Sequence, residues 1–125
     1  MEKRIRFIKH KGQPIMLIDV SHCTPGEIMP LADETQRLVA EHPHNSVLTL
    51  ADFTGAQIDK AAAMRIKEVL AMDRPYVKRS AWVGTESLPH VFYENFKSFS
   101  QRDFPVFKTR EEAMDWLVAP SETNG

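Results

Sequence analysis

Cysteine is almost missing from this chain: among 125 residues there is one, Cys23. A lone thiol excludes an intramolecular disulfide framework and fits a reducing compartment, so the expected location is the cytoplasm. Long apolar runs are missing as well. None approaches the roughly 20 residues of a membrane-spanning helix, so no integral membrane segment is expected. The opening MEKRIRFIKH has no apolar core, which predicts no signal peptide. Charge of one sign is also lacking. The 16 Lys and Arg against 17 Asp and Glu leave a net charge of −1, which argues against non-specific nucleic-acid binding. The basic stretches, Lys3 to Lys11 and Lys78-Arg79, lack the aromatic interleaving of a single-strand platform. No internal repeat, low-complexity segment, G-x-S-x-G elbow, phosphate-binding glycine loop or dinucleotide fingerprint is present, so no cofactor is expected.

What is present describes an ordinary soluble globular domain, 42% hydrophobic and 26% charged. A chain of this size buries roughly two thirds of its unfolded surface, enough for a core without staples. One domain over residues 1–125 is expected, with a polar tail at 119–125 that frays. Arg4 to His10 alternates, with Ile5 and Phe7 on one face and Ile8 on the other, predicting an edge strand. The segment 15–20, IMLIDV, is nearly continuous in apolar residues and predicts a strand covered on both faces, as does SVLTLA at 46–51. Val77 to Val83 is a further strand and Pro105 to Phe107 a short one. Helical stripes follow Thr24-Pro25-Gly26-Glu27, a capping-box pattern, although Pro30 predicts that the regular helix begins only there. Other stripes carry Ile58, Ala62, Ile66 and Leu70, then Phe92, Phe96 and Phe99, then Ala113 and Leu117 after a second capping pattern at Thr109. The order is β-β-α-β-α-β-α-β-α: an α/β fold with a mostly parallel sheet and an antiparallel first edge strand.

Asp19 and Asp52 fall near the carboxyl ends of buried strands, where open α/β sheets bind ligands. Two carboxylates there suit a magnesium ion or an acid/base pair; the ordinary alternative is that each caps its following turn. His22 beside Cys23, and His42-Pro43-His44, tempt a metal reading. The spacing cannot put both imidazoles on one helix face and no zinc pattern is present, so no metal is expected. Cys23 reads as a structural thiol. Phe53, in DFTGAQIDK, has two readings: a plug folded over the core, or an outward anchor for a partner. Five of seven phenylalanines lie between Phe92 and Phe107. They read as core, with Tyr93 and Val91 off the stripe and available for an exposed patch that binds a partner or an apolar ligand.

The strand–helix order, SVLTLADFTGAQID, PYVKRSAWVG and the closing EEAMDWL resemble the SpoIIAA-like superfamily. That group holds the STAS domains of anti-sigma-factor antagonists and their Sec14-like relatives, and more narrowly the chain resembles its small stand-alone bacterial branch. The resemblance covers roughly Ile5 to Val118. It implies a SpoIIAA-like fold and a non-enzymatic regulatory or protein-interaction module, with a protein partner or a homodimer. By the Sec14-like kinship it also admits a carrier of a small apolar ligand, its cavity beneath the third helix. A small enzyme using Asp19 and Asp52 ranks last. The family's switch is a phosphorylated hydroxyl in D-S-[ST]-G at a helix N-terminus. The matching stretch here is Asp59-Lys60-Ala61-Ala62, which keeps the aspartate and lacks both hydroxyls and the glycine. Thr54 and Gly55 lie on the turn before it. Asp19, Asp52, Phe53, Thr54, Gly55, Asp59, Lys60 and Tyr93 are thus the candidate binding residues, and none is assigned a catalytic role.

Overall fold

Strands apolar at successive positions need cover on both faces, and the computed structural model supplies it. The structure describes residues 3–100 and 104–120, without the side chains of residues 99 and 100. The expected frayed tail therefore falls largely outside the described residues, as does the Phe99 side chain. The elements are β1 (Ile5–His10), β2 (Gln13–Asp19), α1 (Pro25–Val39), β3 (Val47–Asp52), α2 (Lys60–Asp73), β4 (Val77–Val83), α3 (His90–Ser100), β5 (Val106–Phe107) and α4 (Arg110–Val118). The five strands lie side by side in chain order, β1 antiparallel to β2 and the rest parallel. β3 is central, and all six of its residues are buried.

The helices divide unequally between the faces. Ile28 of α1, Ile66 and Leu70 of α2 and Phe96 of α3 share one core with Ala51 and Trp82. On the other face, Ala113 and Leu117 of α4 cover Leu17, Leu48, Leu50 and Ala81. Among the described residues α4 is the one helix on that side. Trp82 centres the aromatic cluster: Phe104 stacks on it at 4.3 Å, Phe53 lies at 4.5 Å, and Tyr93 and Phe96 both at 5.8 Å.

Two local expectations, at Pro30 and Tyr93, need correcting. α1 begins at Pro25, not Pro30. Thr24 and Glu27 make the complete reciprocal box: the Glu27 amide donates to Thr24 Oγ1 at 3.3 Å, and the Thr24 amide donates to Glu27 Oε1 at 2.9 Å. Pro30 forfeits one bond to the carbonyl of Gly26, which is exposed and can turn to water instead. Phe7 shares a face with the buried Ile5 yet is 46% exposed, its ring edge-on to His42 at 5.2 Å, because an edge strand lies partly outside the helix layer. Tyr93 does not join an exposed patch. It sits three residues before Phe96, so it borders the buried stripe, and its hydroxyl donates to the Phe104 carbonyl at 3.2 Å. Val91 remains 59% exposed.

Candidate functional site

A crossover helix starts where its strand ends, so the helix N-termini gather at the carboxyl edge of the sheet. Asp19 and Asp52 are partners in register there. Each shares a face with the leucine two positions earlier, which turns its side chain toward the α4 side of the sheet. Each also holds its own turn. Asp19 Oδ1 accepts the Ser21 amide at 3.0 Å and the Ser21 hydroxyl at 2.6 Å; Asp52 Oδ1 accepts the Thr54 amide at 2.9 Å and the Thr54 hydroxyl at 2.7 Å. The remaining oxygens meet one cation. Arg110, the first residue of α4, donates through Nε to Asp52 Oδ2 at 2.8 Å and places Nη2 3.4 Å from Asp19 Oδ2. Arg4 adds a longer contact to Asp19 at 3.7 Å. Partial burial pushes the Asp19 carboxyl up, but the Ser21 hydroxyl and amide, then Arg110 and Arg4, outweigh it and hold it below the ordinary carboxylate range. Both carboxylates are thus turn caps joined through an arginine that sequence reasoning missed. The capping pattern around Thr109 marked Arg110 as a helix start, but nothing local tied it to residues 58 and 91 positions earlier.

The two turns repeat each other. The Cys23 amide donates to the Val20 carbonyl at 3.2 Å, and the Ala56 amide to the Phe53 carbonyl at 2.9 Å. The Val20 amide reaches the Asp52 carbonyl at 3.0 Å and the His22 amide the Thr54 carbonyl at 2.8 Å, so strand pairing continues into the loops. Gly84, at φ +73°, closes the other side. A Cβ there would lie 2.5 Å from the Thr54 amide nitrogen, so a side chain would displace backbone. Phe53 points inward and is 5% exposed, while Thr54 and Gly55 lie at the surface. Asp59 caps α2, accepting the Ala62 amide at 2.8 Å. Lys60 and Ala61 are exposed in the first turn, and Met64, one turn on, is 60% exposed. Met64 was legible in principle as a large apolar residue off the α2 stripe.

The histidines disperse. His42 meets Phe7, and His44 lies edge-on to Tyr76 at 5.0 Å. His22 covers Gly55, whose added Cβ would meet its ring. Cys23 is fully buried, and burial pushes its thiol up, away from the reactive thiolate. One cluster with metal-ligand chemistry was not foreseen: His10, Glu111 and Asp115 bring their ligand atoms within 4.8 Å of one another. Lys11 already lies 3.1 Å from Asp115 and balances part of that charge. The aromatic cluster fills the space beneath α3, and the apolar cavity, of about 70 Å³, lies instead between the sheet and α1 and α2.

A scan against protein-family models gives no match, and neither does a search of the curated proteins. Among solved structures the chain is similar to an uncharacterized protein of the DUF3478 family with a SpoIIAA-like fold, from Shewanella loihica PV-4. The identity is 18% and the TM-score 0.69, over 90% of this chain and 91% of that one. The fold is SpoIIAA-like: a mostly parallel five-stranded sheet with an antiparallel first strand and four helices. No described helix is long and apolar enough to cross a membrane.

Proposed function

We propose that the protein is a non-enzymatic regulatory module that docks a protein partner on the loop 53–59 and the first turns of α2, with no covalent switch. One observation carries this reading. Where the related switch bears hydroxyls, this chain presents exposed Lys60 and Ala61, with Met64 60% exposed behind them. An apolar side chain beside a cation on a rigid helix start suits recognition by contact, the acidic rim of a partner meeting Lys60. The neighbouring carboxylates are held by Arg110 and by their own turns, which leaves neither as a general base. The Thr54 hydroxyl is engaged by Asp52 and belongs to the turn rather than to the helix start.

The test is affinity purification from the source cells with the wild-type chain, Met64→Asp and Thr54→Ala, alongside sedimentation velocity of each. The expected result is a partner, or a second copy of the chain, retained by the wild type and Thr54→Ala and lost from Met64→Asp. Phosphothreonine at Thr54, with binding lost on its removal, would replace the contact-only reading with a shifted switch.

A further inference from the structure

The sheet has two open edges of unequal length: β5 offers two residues and β1 six. Which backbone groups of β1 point outward follows from its pairing. The Asp19 amide donates to the Arg4 carbonyl at 2.8 Å, and Ile5 stands opposite Ile18 in the same register. In an antiparallel ladder, residue pairs that exchange hydrogen bonds alternate with pairs that do not. Arg6, Ile8 and His10 therefore bond to β2, while Ile5, Phe7 and Lys9 turn N–H and C=O to the open side. Among the described residues nothing bonds to these outward groups. We infer that this edge takes an extended acidic segment of a partner protein as an added strand, with an apolar side chain of that segment seated beside Phe7.

Charge and shape select that occupant. Residues 3–11 hold five Lys and Arg and no acid, in a chain whose net charge is −1. Three of the five are engaged: Arg4 with Asp19, Arg6 with the Lys3 carbonyl and Lys11 with Asp115. The Lys3 and Lys9 side chains are exposed and make no ion pair among the described residues. Lys9 shares a face with Phe7, two residues away, whose exposed ring meets His42 edge-on. An acid opposite Lys9 and an apolar residue opposite Phe7 are the cross-strand pairs that suit this face. The same charges disfavour a second copy. Two β1 strands paired antiparallel about Phe7 would set Lys3 opposite Lys11 and Arg4 opposite His10, and lysine on an edge guards against such self-pairing. Main-chain bonds supply affinity in strand addition, and alternate side chains supply specificity. The inference does not rest on docking at the start of α2.

The probe is a capped, labelled seven-residue peptide with glutamate opposite Lys9, tyrosine opposite Phe7, and valine and glutamate elsewhere. Its controls are a lysine-for-glutamate counterpart and a copy N-methylated at the residues opposite Ile5, Phe7 and Lys9. Fluorescence anisotropy at low salt reads binding, and amide hydrogen exchange locates it. Saturable binding of the acidic peptide is expected, with exchange slowed at Ile5, Phe7 and Lys9 and unchanged at Arg6 and Ile8, which are already in the ladder. Lys9→Glu and Phe7→Thr should each weaken binding about three- to tenfold, and N-methylation should weaken it at least tenfold. Met64→Asp should bind the peptide as the wild type does, which separates this edge from the α2 surface. Full-strength binding of the N-methylated copy, or exchange unchanged at the outward amides, would overturn strand addition. No saturation by the acidic peptide, or tighter binding of the lysine counterpart, would overturn the acidic partner. Protection of the outward amides that rises with protein concentration alone would give the edge to a second copy instead.

Discussion

At the scale of single residues, Phe53 decides what the DFTGAQID turn is made of. Its ring is 5% exposed and 4.5 Å from Trp82, so Phe53→Ala should cost about 3–5 kcal/mol, read from urea denaturation. An outward anchor would leave stability unmoved. Arg110→Met removes the cation shared by Asp19 and Asp52; a loss of about 2 kcal/mol at neutral pH is expected, less than for a fully buried pair because Arg110 is about one third exposed. The pH dependence follows from Asp19, whose carboxyl is held low in the folded state. Its contribution is complete above the unfolded value of about 3.9 and is lost as the pH falls through the lower folded value. Acid titration of stability should therefore be shallower in Arg110→Met than in the wild type; an unchanged slope would remove Arg110 from that role. Sequence showed Asp19 and Asp52 as edge residues with turn-capping chemistry. It did not show Arg110 between them, because a charge pair across so many residues leaves no periodic trace.

At the scale of elements, α2 has a good cap and a poor first turn. Asp59 accepts the Ala62 amide, and the turn it opens holds Lys60 and no acid. Asp59→Ala should cost about 1 kcal/mol. Lys60→Glu should instead stabilise by about 0.3–1 kcal/mol, since a negative charge suits a helix N-terminus, and would test whether the lysine is kept for a partner at the expense of the helix. Thermal denaturation of both variants reads the two effects with opposite signs. The elements themselves were legible: β3 as a continuous apolar run, the helices as stripes closed by Thr24 and Asp59. The failures were local. Pro30 looked like a helix start because a missing donor seems costly inside a helix, and the strength of the Thr24–Glu27 box cannot be weighed from spacing. Tyr93 looked exposed because it lies beside the Phe92, Phe96 and Phe99 stripe, and its contacts with Trp82 and Phe104 leave no trace in spacing.

At the scale of the whole molecule, the mostly parallel sheet with an antiparallel first edge strand followed from alternation, whereas the side-by-side order of the strands is read from the structure. The pairing of distant surfaces did not follow. His10 lies 2.8 Å from Asp115, 105 residues away, and the cavity is defined by small residues from three elements. Periodicity says which residues face inward but not what stands opposite. Removal of α4 by truncation after Lys108 should therefore abolish cooperative unfolding rather than merely lower its midpoint, because the sheet face bearing Leu17, Leu48 and Leu50 would lose its helical cover. Circular dichroism on heating would show a gradual slope in place of a transition.

The position of α4 also has a consequence for how the chain is made. Synthesis is vectorial, and domains complete their folding only once the needed segments have emerged. Among the described residues, every strand precedes the one helix that covers the second face, and the guanidinium that joins Asp19 to Asp52 arrives with that helix. Until α4 emerges, the nascent chain exposes the apolar residues Leu17, Leu48 and Leu50 that this helix covers, which makes it a natural client for chaperones that hold emerging polypeptides.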